Sequence, residues 1–215
     1  MTLPILSILV GLPAVAGVVA LFQSPSGARW NALLTTLVSL ALGIWLWTAF
    51  DPSGPQWQFV ERYGIAGGIA WAMGIDGIAL MLIMLTLFLM PICIGASWRS
   101  IQDRVPEYMA AFLFMQSLMI GVFTAQDLLL FYIFFEGGLI PMYLIIGIWG
   151  GAERVKASYK FFLYTLTGSV LMLIAMLVMI WIAGTSSIPE LMAYDFAPGL
   201  QWWLWLAFAA SFAVK

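Results

Sequence analysis

The chain has 215 residues, 64% of them hydrophobic and 8% charged, with a formal net charge of −2 and a mean hydropathy of +1.04. A soluble domain carries roughly 25% charged residues, so this chain lacks the charge needed to cover a water-facing surface. Its apolar stretches run unbroken instead of alternating, which excludes a transmembrane barrel, and so small a net charge gives no footing for nucleic acid or an acidic substrate.

Apolar windows of ~20 residues predict an all-α fold: a polytopic membrane helix bundle with six complete transmembrane helices and the start of a seventh. In chain order these fall at 3–22, 30–50, 77–98, 108–125, 128–149, 157–183, and from 202 onward. The first residues, MTLPILSILVGLPAVAG, lack a basic leader region and run straight into the first span, so no cleaved signal peptide is expected. Connections are short except for 51–76, a glycine-rich stretch expected to form a structured excursion. No shift in composition marks a second domain.

Alternate connections differ in basic residues. Arg29, Arg99, Arg104, Arg154 and Lys156 lie on one side, against Arg62 alone on the other, which carries Asp51, Glu61, Asp76, Asp127, Glu190 and Asp195. By the positive-inside rule the N-terminus lies outside and the seventh span runs inward.

Glu136 stands in the middle of the fifth span. A charge there costs ~2.5–3.5 kcal/mol on insertion scales, and residues that persist at such a cost face a bundle interior or a wet cavity and handle protons, ions or a ligand. Nine residues past Asp127, it lies ~13 Å deep in a ~30 Å hydrocarbon core. Gly137 and Gly138 follow, and Pro141 removes one backbone bond, so a bend is expected just past the carboxylate. Tyr132 and Tyr143 fall on roughly the same face, which makes a polar patch at a helix distortion.

The last segment, WWLWLAFAASFAVK, ends on Lys215. An unbroken helix places this ammonium ~20 Å from the outer interface, a natural counter-charge for Glu136. Burial and pairing bring such groups into the range where protons exchange. A helix is not expected to finish there, so the chain reads as part of a longer protein. Lys160 opens the sixth span, with Tyr164 and Thr167 on its face, as a candidate element of a proton inlet on the inner side. Each reading has a plainer rival: Glu136 as a structural hydrogen-bonding group, Lys215 and Lys160 as lysines snorkelling to an interface, and the Thr165–Ser169 run as helix packing.

What is missing also narrows the chemistry. There is no His, which excludes bis-His haem and histidine-based metal or proton chemistry. Cys93 is the only cysteine, so an iron–sulfur cluster or a disulfide framework within the chain is excluded, and Cys93 reads as a small packing residue. No phosphate-binding glycine motif occurs, so any redox chemistry must lie in other chains.

Residues 134–151, FFEGGLIPMYLIIGIWGG, and 160–177, KFFLYTLTGSVLMLIAML, closely resemble the antiporter-like subunit M (chain 4) family of NADH:quinone oxidoreductase, respiratory complex I. Residues 74–86, GIDGIALMLIMLT, and 207–215, AFAASFAVK, resemble that family's third and seventh spans. The resemblance covers roughly 74–215, and EGGLIPMY points to type M over types L and N.

The resemblance implies fourteen-span proteins with inverted five-helix repeats. Residues 1–107 would then be front helices 1–3 with a long outer loop at 51–76, and 108–215 the first part of the antiporter-like repeat, truncated in its broken helix. It implies that Glu136 and Lys215 form a charge switch on a proton path, coupled to quinone reduction elsewhere. The expected function is therefore that of a proton-translocating subunit of NADH:quinone oxidoreductase, an enzyme by membership, in the bacterial plasma membrane. No cofactor is expected in the chain; NADH, flavin, iron–sulfur clusters and quinone belong to partner subunits, and the membrane partners are the L and N types. The alternatives are a subunit of a multisubunit cation/proton antiporter or membrane-bound hydrogenase, or a non-transporting structural subunit.

Overall fold

The computed structural model describes residues 3–64 and 70–215. In chain order the elements are α1 (Ile5–Ala20), α2 (Pro25–Ala49), β1 (Gln58–Gly64), β2 (Ala70–Ile75), α3 (Gly77–Ser97), α4 (Val105–Thr124), α5 (Leu128–Gly137), α6 (Leu139–Trp149), α7 (Arg154–Ala183), α8 (Ile188–Met192) and α9 (Pro198–Val214). Among the described residues five helical stretches are long and apolar enough to cross a bilayer: Pro25–Ala49, Gly77–Ser97, Val105–Thr124, Leu128–Trp149 and Arg154–Ala183. Ile5–Ala20 is apolar but shorter. Helices are what lipid permits, because each backbone polar group finds its partner within its own segment.

Helices α2, α4, α7 and α9 begin earlier than the apolar windows, whereas α3 and α5 begin with them. Hydropathy marks the stretch solvated by lipid, whereas capping marks where the helix starts. The Ser24 hydroxyl accepts from Gly27 N–H at 3.3 Å and Pro25 opens α2, as Ser or Thr before a first-turn proline should. Asp76 likewise caps α3, accepting from Ala79 N–H at 2.7 Å. At the far end, α7 stops at Gly184, whose φ of +71° is the left-handed conformation that glycine adopts without penalty.

The all-α expectation needs one correction. Within the 51–76 excursion, β1 and β2 pair as a two-stranded sheet. Their β-branched and aromatic content (QFVERYG, AWAMGI) suits a pleated surface. Residues 65–69 of this excursion lie outside the described residues.

The chain divides into two compact units, Met1–Arg62 with Met73–Ala125, and Tyr63–Ala72 with Gln126–Lys215. In the first, α1 to α4 bury Leu6, Leu9, Leu46, Ile83, Leu87, Met109, Leu113 and Ile120 completely. Polar side chains tie these helices at fixed heights. The Ser117 hydroxyl donates to the Val10 carbonyl (2.7 Å), Asn31 to Ala16 (2.9 Å) and Arg29 to Ile101 (2.8 Å). The start of α1 has no side-chain cap of its own. Instead Glu61 of β1 accepts from Leu6 N–H (2.8 Å), Ser7 N–H (3.1 Å) and the Ser7 hydroxyl.

The second unit holds α5 to α9. Its core gathers Leu128, Met172, Ala175, Met176, Leu191, Phe196 and Leu204, with Phe131, Tyr132 and Phe135 packed against it.

Candidate functional site

Asp127 starts the second unit's first helix. It is 2% exposed; its Oδ1 accepts from Leu129 N–H and Leu130 N–H, both at 3.0 Å. Its Oδ2 accepts from the Ser186 hydroxyl and, at 3.4 Å, from Ala70 N–H. Backbone bonds from Gln126 N–H to Ala72, Leu128 N–H to Ser186 and Ile188 N–H to Gln126, each 2.8 Å, complete the junction. Here a buried carboxylate caps α5 while binding β2 and the α7–α8 connection, which fixes where α5 begins.

About three turns on, the helix is interrupted at Gly138. Pro141 supplies no N–H for the Gly137 carbonyl four residues back, so one rung of the helix is missing where the spacing predicted a bend. Glu136 occupies the last turn before this break, its side chain 17% exposed. Among the described residues neither of its carboxylate oxygens accepts a hydrogen bond.

Lys215 reaches this carboxylate from the end of α9. Its Nζ lies 3.7 Å from Glu136 Oε1, close enough for a strong Coulomb attraction but beyond hydrogen-bond range. The ammonium instead donates to the Phe135 carbonyl at 2.6 Å and stands 3.2 Å from the centroid of the Phe135 ring. That ring stacks on Phe131 (5.4 Å, 23°) and takes the edge of Phe212 (5.9 Å, 79°). A wall of phenyl rings keeps water from part of this site and strengthens every charge interaction within it. Gly168 of α7 lets α9 approach, since a methyl group there would stand 2.7 Å from Val214 Cβ. Tyr132, one turn before Glu136, lies against Ser169 of α7.

The structure thus brings Glu136 and Lys215 together. It does not bring Lys160 to them. Lys160, Tyr164 and Thr167 do share a face of α7, as their spacing predicted, but that face is exposed and lines an open groove. The buried face of α7 carries Thr165, Gly168, Ser169 and Met172. Thr165 and Ser169 hydroxyls donate back to Phe161 (2.7 Å) and Leu166 (2.9 Å) within their own helix, which is the packing arrangement. Tyr143 packs its ring on Phe162 at 5.5 Å. Sequence reasoning did not single out Phe135, Gly168 or the cap role of Asp127; only the last left a signal, an acid directly before an apolar run.

A partly buried carboxylate 3.7 Å from an ammonium forms a pair whose protonation states are coupled. Fold and site together define a class: helical membrane proteins with an ionisable pair set at a break in a transmembrane helix. The comparisons with known proteins narrow it. Residues 6–125 match the family model for NADH-ubiquinone oxidoreductase chain 4, amino terminus, and residues 125–215 match that for the NADH:quinone oxidoreductase/Mrp antiporter transmembrane region. The chain belongs to the NADH:quinone oxidoreductase subunit M/chain 4 family. It is 50% identical to NADH-quinone oxidoreductase subunit M of Rhodobacter capsulatus, over 98% of this chain and 45% of that protein. Chain 4 of Arabidopsis thaliana NADH-ubiquinone oxidoreductase is 44% identical, over 98% and 44%. A chain of respiratory complex I from Thermus thermophilus with bound NADH superposes with a TM-score of 0.82 at 31% identity, over 97% of this chain and 43% of that one. The chain spans about half the length of the curated relatives it matches.

Proposed function

We propose that this chain is part of a proton-translocating membrane subunit of NADH:quinone oxidoreductase, and that Glu136 is the group that carries the proton. The observation behind this reading is the state of its carboxylate: mostly buried, without a hydrogen-bond donor among the described residues, and 3.7 Å from an ammonium. A buried acid that serves structure keeps its acceptors filled. An ionisable acid set inside a transmembrane segment beside a counter-charge is a functional site by default.

Ionised Glu136 attracts Lys215. When Glu136 takes a proton the attraction disappears, and the ammonium is left to the carbonyl and ring of Phe135, free to hand on a proton in its turn. Quinone reduction in partner subunits supplies the energy, and NADH, flavin and iron–sulfur chemistry belong to those subunits. The membrane partners in this reading are antiporter-like chains of the L and N types. Helices α1 and α9 complete six spans and the start of a seventh in a bacterial plasma membrane, with the N-terminus outside. Residues 108–215 are the first part of an inverted repeat, and Lys160, on its open groove, serves as the approach on the inner side.

The test is Glu136→Gln in the native complex, in inside-out membrane vesicles. The NADH-driven proton gradient should fall by about a hundredfold or more, the usual loss when an acid–base group is removed. Undiminished pumping overturns the reading. A second reading, a subunit of a cation/proton antiporter, draws on the match of residues 125–215 to a family that includes Mrp antiporters. Partner chains identified in the purified native complex decide between the two.

A further inference from the structure

The Lys215 side chain is 21% exposed, and its ammonium is held by a group other than the carboxylate opposite. Its one short hydrogen bond goes to the main-chain carbonyl of Phe135 at 2.6 Å, and its nitrogen lies over the Phe135 ring at 3.2 Å from the centroid, well inside the ~6 Å range of a cation–π contact. Glu136, the next residue, offers two unfilled oxygens, yet the nearer stays 3.7 Å away. We propose that Phe135 is a positioning residue for proton transfer: its ring and carbonyl hold the Lys215 ammonium beside the Glu136 carboxylate without letting the two form a hydrogen bond.

Three features make this holder specific. Phe135 lies in the last turn of α5, where carbonyls keep spare acceptor capacity at a helix end. Its ring is flanked by Phe131, which stacks on it, and by Phe212, which meets it edge-on and lies three residues before Lys215. Phe135 and Glu136 are adjacent, so any movement at the Gly138 break carries ring, carbonyl and carboxylate together. A direct ammonium–carboxylate bond in a low-dielectric site is hard to release once made. Holding the cation by a neutral carbonyl and a ring face keeps it exchangeable.

This inference rests on the reading that Glu136 and Lys215 transfer protons, and the experiment separates the two. In the native complex, phenylalanine at 135 is replaced by its mono-, di- and trifluorinated analogues, which keep the ring's shape while weakening its π face, and by leucine. NADH-driven proton pumping is measured relative to NADH oxidation, with Glu136→Gln and Lys215→Met prepared alongside. Pumping should decline stepwise with fluorine number, reaching a loss of about three- to thirtyfold for Phe135→Leu. Full pumping across the fluorinated series, while Glu136→Gln and Lys215→Met lose it, overturns the role of Phe135 and leaves the proton-transfer reading standing. Full pumping in Glu136→Gln and Lys215→Met overturns both. Should Phe135→Leu fail to assemble, the near-isosteric fluorinated series still decides.

Discussion

Val214 packs against the bare backbone of Gly168, so closely that a methyl group on that glycine would stand 2.7 Å from Val214 Cβ and Cγ1 and 3.2 Å from Cγ2. The obstructing atoms include a Cβ fixed to the α9 backbone, which no rotamer change can withdraw. Gly168→Ala therefore has to push α9 from α7, and Lys215, the residue after Val214, has to leave Glu136 with it. The expected cost is about 1–3 kcal/mol, as for other overpacked sites, with a loss of proton pumping beyond what that instability explains. Thermal unfolding of the purified complex and pumping in vesicles check it. Val214→Ala in the same chain should restore much of both, since the clash is a property of the pair. A Gly168→Ala protein of normal stability and activity contradicts the packing.

Gly43 on α2 makes an instructive contrast. A methyl there would overlap Leu87 Cδ1 and stand 3.2 Å from Met84 Sδ, a closer approach than at Gly168. Both atoms, however, are ends of flexible side chains that can turn aside. Gly43→Ala should cost less than Gly168→Ala, about 1 kcal/mol, and leave pumping untouched. A loss equal to that at Gly168 would mean that the α2–α3 contact is as rigid as the α7–α9 contact.

How much of this was readable beforehand depended on how far apart the contacting residues lie. Five of the spans were legible because each is a continuous apolar run, and the break after Glu136 because Gly137, Gly138 and Pro141 are its near neighbours. The charge partner was legible too, since a lysine in an apolar segment has few ways to be satisfied. Phe135 was not: it is one of fifteen phenylalanines, and its importance comes from a lysine 80 residues away. Lys160 marks how far helical spacing alone reaches. Helical spacing correctly put it with Tyr164 and Thr167, but spacing alone does not say which face of α7 meets α9; the small residue Gly168 decides that. The strands at 58–64 and 70–75 were missed because glycine-rich sequence between spans looks the same whether or not it pairs.

Asp127 carries a prediction of its own. Asp127→Ala removes the acceptor of Leu129 and Leu130 N–H, Ala70 N–H and the Ser186 hydroxyl at once. Loss of a helix cap costs about 0.5–2 kcal/mol, and the other stranded donors add about 1–3 kcal/mol. Asp127→Asn should fall between, because its Oδ1 still caps α5 and the Ser186 hydroxyl can reverse to accept from the amide. Hydrogen exchange at the Leu129, Leu130 and Ala70 amides, taken together, should rise in the order wild type, Asn, Ala. Equal exchange in all three would show that the junction holds without the carboxylate.

Glu61 does for α1 what α1 does not do for itself. Pro4 precedes the helix and offers no capping side chain, so the first amides of an apolar helix would be left open where water is scarce. The Glu61 carboxylate, only 8% exposed, fills that place with one oxygen on Leu6 N–H and the other on Ser7 N–H and the Ser7 hydroxyl. Its negative charge also favours the positive end of the helix. Glu61→Gln keeps the shape but turns a donor toward one of these donors, so one of the two amides loses its acceptor. The expected destabilisation is about 1–3 kcal/mol, with faster hydrogen exchange confined to the first turn of α1. Glu61→Leu removes both acceptors and should cost more. If Glu61→Leu leaves exchange at Leu6 and Ser7 unchanged, the start of α1 is held by something other than this carboxylate.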